Sequence, residues 1–360
     1  MKKLIHKIFF FINILFAISL IISYISVYID PAIIVLPAFF GLAYPYLLLF
    51  NIVFAVIWAV KLRFEALLSI AVIAAGYSHL SNYIRLFKTT SATQGNISVM
   101  SYNLRLMNYY ENPDDKNTEK KILSLFNSIK PDILCLQELF ISGSAEKKDL
   151  EIKNSLGKNY NSHLRLMGKG KDKFYGIGTY TRYPIVGRGE IVHLQSSSLS
   201  IYTDILIDKD TFRVYNNHLQ SFRLKSVEKS FIEELIESEN KEALNEIIYI
   251  SRSLKKGFIQ RSMQAVDLKN HINKSPYPVI VVGDFNDTPV SYSYRKIKKD
   301  LFDSFVTSGY GAGFTYRGNY PQNRIDYILY DANLKNTGFE IMRTNYSDHY
   351  PIIARFRKAY

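Results

Sequence analysis

Hydrophobic and polar positions divide the chain into two parts with different rhythms. Residues 8–29 (IFFFINILFAISLIISYISVYI) carry no charge. A run of about 20 apolar residues is long enough to cross a hydrocarbon core as a helix. Lys2, Lys3 and Lys7 precede it, which places the N-terminus on the cytoplasmic side by the positive-inside rule. The run exceeds the apolar core of a signal peptide and no small-x-small cleavage site follows, so it reads as an uncleaved anchor. A second span covers 42–60 and ends at Lys61 and Arg63, with Pro45 and Asn51 inside it; both are tolerated in membrane helices. A third segment, 64–84, has an apolar centre (LLSIAVIAAGY) flanked by Glu65, Ser78, His79 and Asn82. Residues 31–43 hold no Lys or Arg, so both basic ends fall on one side. Three spans, which the pattern favours, put the rest of the chain outside the cytoplasm; an interfacial third segment would put it inside. Residues 1–88 thus read as a membrane anchor of two to three helices meeting the bilayer through 8–84. The polar stretch 89–96 reads as a linker.

From residue 97 onward, short apolar runs alternate with amphipathic stretches. ISVMSYN (97–103) and PDILCLQEL (131–139) read as strands around a helix over 119–129. GIGTYTRYPIVGRGEIVHL (176–194) reads as a hairpin turning at Tyr183-Pro184. Strands follow at 199–208 and 211–219, then a charged helical insert at 223–256 and a helix near 258–273. PVIVVGDFN (278–286), RIDYILY (324–330) and HYPIIARF (349–356) complete the strands. This mixture predicts an α/β domain over 97–360.

Charge adds a partner class. Residues 1–95 hold seven Lys/Arg against two acids, so the remainder carries +8 of the total +13. A basic surface suits an anionic partner: nucleic acid, a phospholipid headgroup or a phosphorylated small molecule. Cys135 is the only cysteine, which excludes an intrachain disulfide. No motif points to a protein partner.

Six polar elements stand at the rims of apolar runs: Ser101-Tyr102-Asn103, Gln137-Glu138, Asn216-Asn217-His218-Leu219, Gly283-Asp284-Phe285-Asn286, Asp326-Tyr327 and Ser347-Asp348-His349. Each alone reads more readily as a strand end meeting water or a surface hydrogen bond. Together, in this order, they resemble the endonuclease/exonuclease/phosphatase superfamily, in which deoxyribonuclease I, neutral sphingomyelinases and inositol polyphosphate 5-phosphatases fall. The resemblance covers 97–358 and is strongest at GDFND and SDHYP. With the apolar segments included, the whole chain is similar to membrane-anchored members from bacteria of the Bacteroidetes type.

The resemblance implies a four-layer sandwich of two mixed β-sheets flanked by helices, here preceded by transmembrane helices. It implies a phosphoester hydrolase using Mg²⁺, with Mn²⁺ as the alternative ion. A hard cation suits oxygen ligands, and the resemblance assigns Glu138, Asn103 and Asp348 to it. It makes Asp326 the orienting partner of His349. Whether His349 takes a proton from water or donates to a phosphoryl oxygen stays open; Asp284 is the other base, with Asn286 orienting water or contacting phosphate. Asn216 and His218 share one strand face, expected to point to the scissile phosphate. Secondary expectations are Arg105 toward phosphate, Gly176 and Thr181-Arg182 in a family hairpin, Arg261 and Gln264 toward the GDFN strand, and Tyr316-Arg317 in the cleft. Lys169, Lys171, Lys173, Phe174 and Tyr175 form a candidate contact loop. The insert 223–256 either covers the cleft or lies against the bilayer.

The leading reading is a phosphodiesterase or nuclease acting by metal-assisted water attack. The alternative is a sphingomyelinase-like or other lipid or small-molecule phosphoesterase. A catalytically inactive tethered binding module is the reading from another class, disfavoured because all six elements are intact. A transporter is disfavoured because no acid pair or repeat marks a substrate path.

Overall fold

The computed structural model describes residues 2–87, 95–108, 116–157, 159–168, 172–193, 198–222, 241–318 and 322–359. Among these, the helices are α1 (Lys2–Ser26), α2 (Leu36–Leu42), α3 (Tyr44–Val60), α4 (Ala66–Ala75), α5 (Tyr77–Ser81), α6 (Lys116–Ile129), α7 (Ala145–Leu156), α8 (Lys241–Asn273), α9 (Tyr292–Lys298) and α10 (Ser304–Ser308). The strands are β1 (Ile84–Arg85), β2 (Ile97–Asn103), β3 (Ile133–Ser142), β4 (Asn161–Gly168), β5 (Lys173–Thr181), β6 (Ile185–Ile191), β7 (Leu199–Ile207), β8 (Asp210–His218), β9 (Val279–Asp284), β10 (Phe302–Asp303), β11 (Gly311–Ala312), β12 (Asp326–Tyr330), β13 (Leu334–Ile341) and β14 (Ile352–Lys358).

Two six-stranded sheets carry the catalytic elements, ordered β13-β14-β2-β3-β5-β4 and β10-β12-β9-β8-β7-β6. One pair in each is parallel, β2 with β3 and β8 with β9, and the other pairs are antiparallel. Both sheets are therefore mixed. The apolar runs of β3 and β9 follow from burial on both faces. Val99, Ile133 and Cys135 of the first sheet join Ile205, Phe212, Val214, Ile280, Val282 and Ile328 of the second in one buried cluster. On the other face of the first sheet, Met100, Tyr102, Leu134 and Leu136 pack with Ile122 and Phe126 of α6 and Ile152 and Leu156 of α7. On the second sheet, the Tyr215 hydroxyl is hydrogen-bonded to His271 Nδ1 of α8 at 2.9 Å.

Two sequence expectations change. Residues 176–194 form no hairpin: β5 pairs in the first sheet and β6 in the second. The Tyr183-Pro184 turn therefore carries the chain between sheets, a distinction that local turn chemistry cannot make. The two helices expected on either side of residue 257 are one helix, α8, running through Gly257. Residues 223–240 of the expected insert, like 89–94 of the expected linker, lie outside the described residues.

The chain divides into two compact units. One comprises 1–83, 222–265 and 287–296; the other comprises 84–221, 266–286 and 297–360 and holds both sheets. In the first, α1 is long and apolar enough to cross a membrane, with few of its side chains buried. The second expected span, 42–60, is essentially α3, which Tyr44-Pro45 opens; α2 meets it at a bend of 66°. The third breaks at Gly76 into α4 and α5. A buried polar chain ties these helices together: Asn13 Nδ2 donates to Ser69 Oγ at 2.7 Å, Trp58 Nε1 donates to Asn13 Oδ1 at 3.1 Å, and Ser69 Oγ donates to Asn51 Oδ1 at 3.4 Å.

Candidate active site

The site gathers where strands of both sheets end. Parallel pairing of β2 with β3 aligns Asn103 with Gln137, one residue before Glu138. Parallel pairing of β8 with β9 sets His218 opposite Asp284, and antiparallel β12 sets Asp326 opposite Asp284 from the other side. Register thus brings Asn103 and Glu138 together on one sheet and His218, Asp284 and Asp326 together on the other.

Backbone irregularities aim two of them. The β3–β5 register breaks between Leu136 and Leu139, and Glu138 there has φ +48°. A bulge with a left-handed residue turns a side chain out of the alternating pattern. Asn286, just beyond β9, has φ +52°. Gly283 has φ +133°, and a Cβ there would fall 2.0 Å from the Asn217 carbonyl oxygen, so only glycine fits beneath Asp284.

Asp284 is the hub. Its Oδ2 accepts from Asn103 Nδ2 at 2.9 Å and Asn286 Nδ2 at 3.0 Å, and its Oδ1 accepts from the Asn286 N–H at 2.7 Å. Two imidazoles approach the same Oδ2, His218 Nε2 at 3.8 Å and His349 Nε2 at 3.9 Å. His218 Nε2 also lies 3.3 Å from Glu138 Oε1. On its other side, His349 meets Asp326 through Nδ1, 2.9 Å from Oδ2 and 3.1 Å from Oδ1. Thr315 Oγ1 accepts from the Ile325 and Asp326 N–H groups and holds that carboxylate's backbone; Thr315 carries no signal in the sequence. Ser347 Oγ donates to the Asn103 carbonyl and accepts from the His349 N–H, tying the SDH loop to β2.

Burial and charge set the protonation. Burial raises the Asp284 carboxyl and Asp326 adds to this; the two imidazoles pull back, leaving it at about 6. Burial lowers His349, but Asp326 and Asp284 outweigh it and lift the imidazole to about 10. Burial opposes the His218 charge as well, and Glu138 reverses the sign, leaving it raised. Glu138 is held below its usual range: burial pushes it up and His218 more than offsets this. Burial keeps Asp348 above its usual range despite His349 and Arg105.

The donor set fits a hard divalent cation. Glu138 and Asp348 offer carboxylate oxygens and Asn103 an amide oxygen, the ligand types such a cation takes; here the Asn103 Oδ1 accepts from the Arg105 N–H at 2.9 Å and its Nδ2 lies 3.5 Å from Glu138 Oε1. Burial, more than neighbouring charge, holds the Asp284 and Asp348 carboxyls above their usual range, and a cation beside a buried carboxylate favours its ionised form. Asp284, Asp326 and His349 also lie close enough to ligate one ion. We read that cluster as a proton-handling relay, because the Nδ1 edge of His349 is already engaged by Asp326.

Other expected residues divide. Arg105 Nε pairs with Asp348 Oδ2 at 3.2 Å, so these two expectations meet in one ion pair. The Tyr316 ring packs edge-on to His349 with centroids 5.2 Å apart, and the Arg317 N–H donates to the Asp348 carbonyl at 2.7 Å. Asn216 does face the other sheet, as His218 does, but it is wholly buried: its Nδ2 donates to the Gly178 carbonyl at 2.9 Å and its Oδ1 accepts from Gln137 Nε2. It joins the sheets and offers nothing to a phosphate. Thr181 pairs with Ile133 at the far end of β3 from Glu138, and Arg182 pairs with Asp132, so neither reaches the rim. Arg261 and Gln264 are buried in the other unit, Arg261 against Asp287 and Phe222. Lys169 and Lys171 lie outside the described residues; Phe174 packs against the α6–α7 side of the first sheet.

A family model described as "Endonuclease/Exonuclease/phosphatase family" matches residues 100–349, which includes all eight expected site residues. The chain belongs to the endonuclease/exonuclease/phosphatase family. Members of this family are metal-dependent hydrolases of phosphate esters, and the chain is an enzyme of that kind. Its two mixed sheets flanked by helices are the family's fold. A family protein from Bacteroides thetaiotaomicron shares it at 17% identity and TM-score 0.53, over 73% of this chain and 98% of that one. The human Nocturnin catalytic domain does so at 18% and 0.53, over 74% and 94%. The Bacteroides thetaiotaomicron mannosyl-6-phosphatase does so at 17% and 0.51, over 72% and 99%. At these identities the likeness is one of fold. Residues 6–83 match a domain of unknown function, DUF8431. Among curated proteins, none matches the chain.

Proposed function

We propose that this family member is a membrane-anchored, Mg²⁺-dependent phosphodiesterase acting on nucleic acid, with residues 97–360 as its catalytic domain on the non-cytoplasmic side of the inner membrane. One observation carries the reading: His218 and His349 flank a single Asp284 oxygen at 3.8 and 3.9 Å. The pair supplies a base and two imidazoles within one reaction radius. Among the described residues, the acids Glu138, Asp284 and Asp348 face Arg105 and these imidazoles.

Glu138, Asn103 and Asp348 would hold the cation, which when bound would neutralise charge on the phosphoryl oxygens. Asn103 and Asn286 fix the Asp284 carboxylate, which at about 6 is ionised at neutral pH and accepts a proton from the attacking water. The water oxygen forms the new bond to phosphorus. His349, held as imidazolium by Asp326, donates from Nε2 to a phosphoryl oxygen. His218 gives its proton to the leaving oxygen as the P–O ester bond breaks.

The apolar α1 favours one second reading, the same chemistry on a lipid headgroup. Detergent-solubilised full chain assayed on plasmid DNA, RNA, sphingomyelin, bis(p-nitrophenyl) phosphate and p-nitrophenyl phosphate separates the two. Mg²⁺-dependent turnover of nucleic acid, abolished by Glu138→Ala with His349→Ala, supports the proposal. Turnover of sphingomyelin alone sinks the nuclease assignment, and turnover of the monoester alone sinks the diester one.

A further inference from the structure

The first half of α8 belongs to the same compact unit as the apolar helices, and the catalytic chemistry does not use it. At 3.6 residues per turn, Ile248, Arg252, Lys255, Lys256, Ile259 and Met263 fall within a sector of about 100°. Ile248, Arg252, Lys255, Lys256 and Met263 are exposed and Ile259 is half-buried. The opposite face is buried through Gly257, Phe258, Arg261, Ser262 and Ala265. The stripe therefore inverts the usual arrangement, in which the outward face of a helix is polar throughout. Arg252, Lys255, Lys256, Ile259 and Gln260 line a shallow groove along it. None of the three basic residues has an ion-pair partner among the described residues. Large apolar side chains with Arg and Lys between them are the composition of a helix lying in the interface of an anionic bilayer.

The neighbours agree with that orientation. Phe258 packs edge-on against Phe39 of α2 with centroids 5.2 Å apart, and α2 leads into the apolar α3. Phe258 lies about a third of a turn from the centre of the stripe. A helix lying in the interface beside an anchor touches the anchor with its flank and turns a different face toward the lipid. We propose that the exposed stripe of α8, Ile248 to Met263, is a docking surface for anionic phospholipid headgroups. Its lysines and arginine meet the phosphates while Ile248, Ile259 and Met263 enter the acyl boundary. The inference rests on the reading of residues 8–84 as a membrane anchor.

The native chain has one thiol, Cys135, which is buried, so an introduced cysteine carries an environment-sensitive fluorophore selectively. Full-length Ile259→Cys and Met263→Cys are labelled and placed in nanodiscs of phosphatidylcholine with or without phosphatidylglycerol, beside Lys120→Cys on the exposed face of α6 as control. The expected result is a blue-shifted emission and a several-fold drop in iodide quenching at 259 and 263 in anionic discs. Lys120→Cys stays quenchable, and a triple Arg252→Glu, Lys255→Glu, Lys256→Glu variant loses the protection. Labels at 259 and 263 as quenchable as Lys120→Cys in anionic discs would overturn the proposal; equal protection in neutral discs would overturn its headgroup component. Recovery of the chain in discs tests the anchor separately. Hydrolysis of bis(p-nitrophenyl) phosphate, which uses none of these residues, tests folding and the hydrolase reading separately.

Discussion

At the scale of single residues, the site depends on carboxylates that act through different partners. Asp326 hydrogen-bonds His349 at Nδ1, the edge away from Asp284, so it acts through the imidazole as a positioning residue. Asp326→Asn should lower kcat by about 10²–10⁴-fold with little change in KM, read from saturation curves on bis(p-nitrophenyl) phosphate. Glu138→Gln keeps the shape of the side chain and removes its charge. The Mg²⁺ concentration for half-maximal rate should rise at least about tenfold, and a metal titration giving the wild-type midpoint would remove Glu138 from the ligand set. The six polar elements were legible because they interrupt or border apolar runs: three end β2, β8 and β9, Asp326 opens β12, Ser347-Asp348-His349 precedes β14, and Gln137-Glu138 lies within β3. The Glu138 bulge was not legible: the apolar run continues through Leu139, Phe140 and Ile141 without a break. Thr315 was invisible for another reason, since its whole contribution is to accept two backbone N–H groups.

At the scale of elements, sequence periodicity found strands buried on both faces and passed over exposed ones. β2 was read to its last residue. β4 was missed because as an edge strand it is half-exposed along most of its length. β13 was missed because Asn336 and Gly338 interrupt its pairing at a bulge. β4 carries a pH response. His163 Nδ1 is hydrogen-bonded to Thr203 Oγ1 at 2.9 Å, and burial, helped by Arg188, lowers the imidazole to about 4. The folded state therefore disfavours the proton that the unfolded chain takes up near an ordinary histidine value of about 6.5. This contribution is complete above that value and is lost as pH falls from it toward 4. The melting temperature should drop less over that interval in His163→Gln than in the wild type. In the other unit, a Cβ on Gly41 would meet the Val290 carbonyl oxygen at 2.4 Å and Ser26 Oγ at 2.5 Å. Gly41→Val should cost about 1–3 kcal/mol, seen as a lower melting temperature in detergent.

For the whole molecule, the proposed anchoring raises the question of how many times the chain would cross the bilayer. α1 suffices for one crossing and the bent α2–α3 pair for a second; α4 with α5 supplies the third only if the break at Gly76 is carried through the membrane. Asn13, Asn51 and Ser69 bond to one another across α1, α3 and α4, as polar groups in adjoining membrane helices do. Three crossings predict that alkaline phosphatase fused after Tyr360 is active and that green fluorescent protein at the same position is dark; the reverse pattern would place catalysis in the cytoplasm. The strand order of the first sheet bears on biogenesis. β2 is bordered on one side by β3, made soon after it, and on the other by β14, more than 240 residues further along. During synthesis, β2 waits with one edge unpaired while the entire second sheet is made, and an open edge invites wrong partners. The segment that closes the edge follows directly on Asp348 and His349. Completion of the active site and closure of the β2 edge thus fall in one late event, so a ribosome stalled before that point is expected to leave a nascent chain that is inert toward phosphate esters and carries an open strand edge.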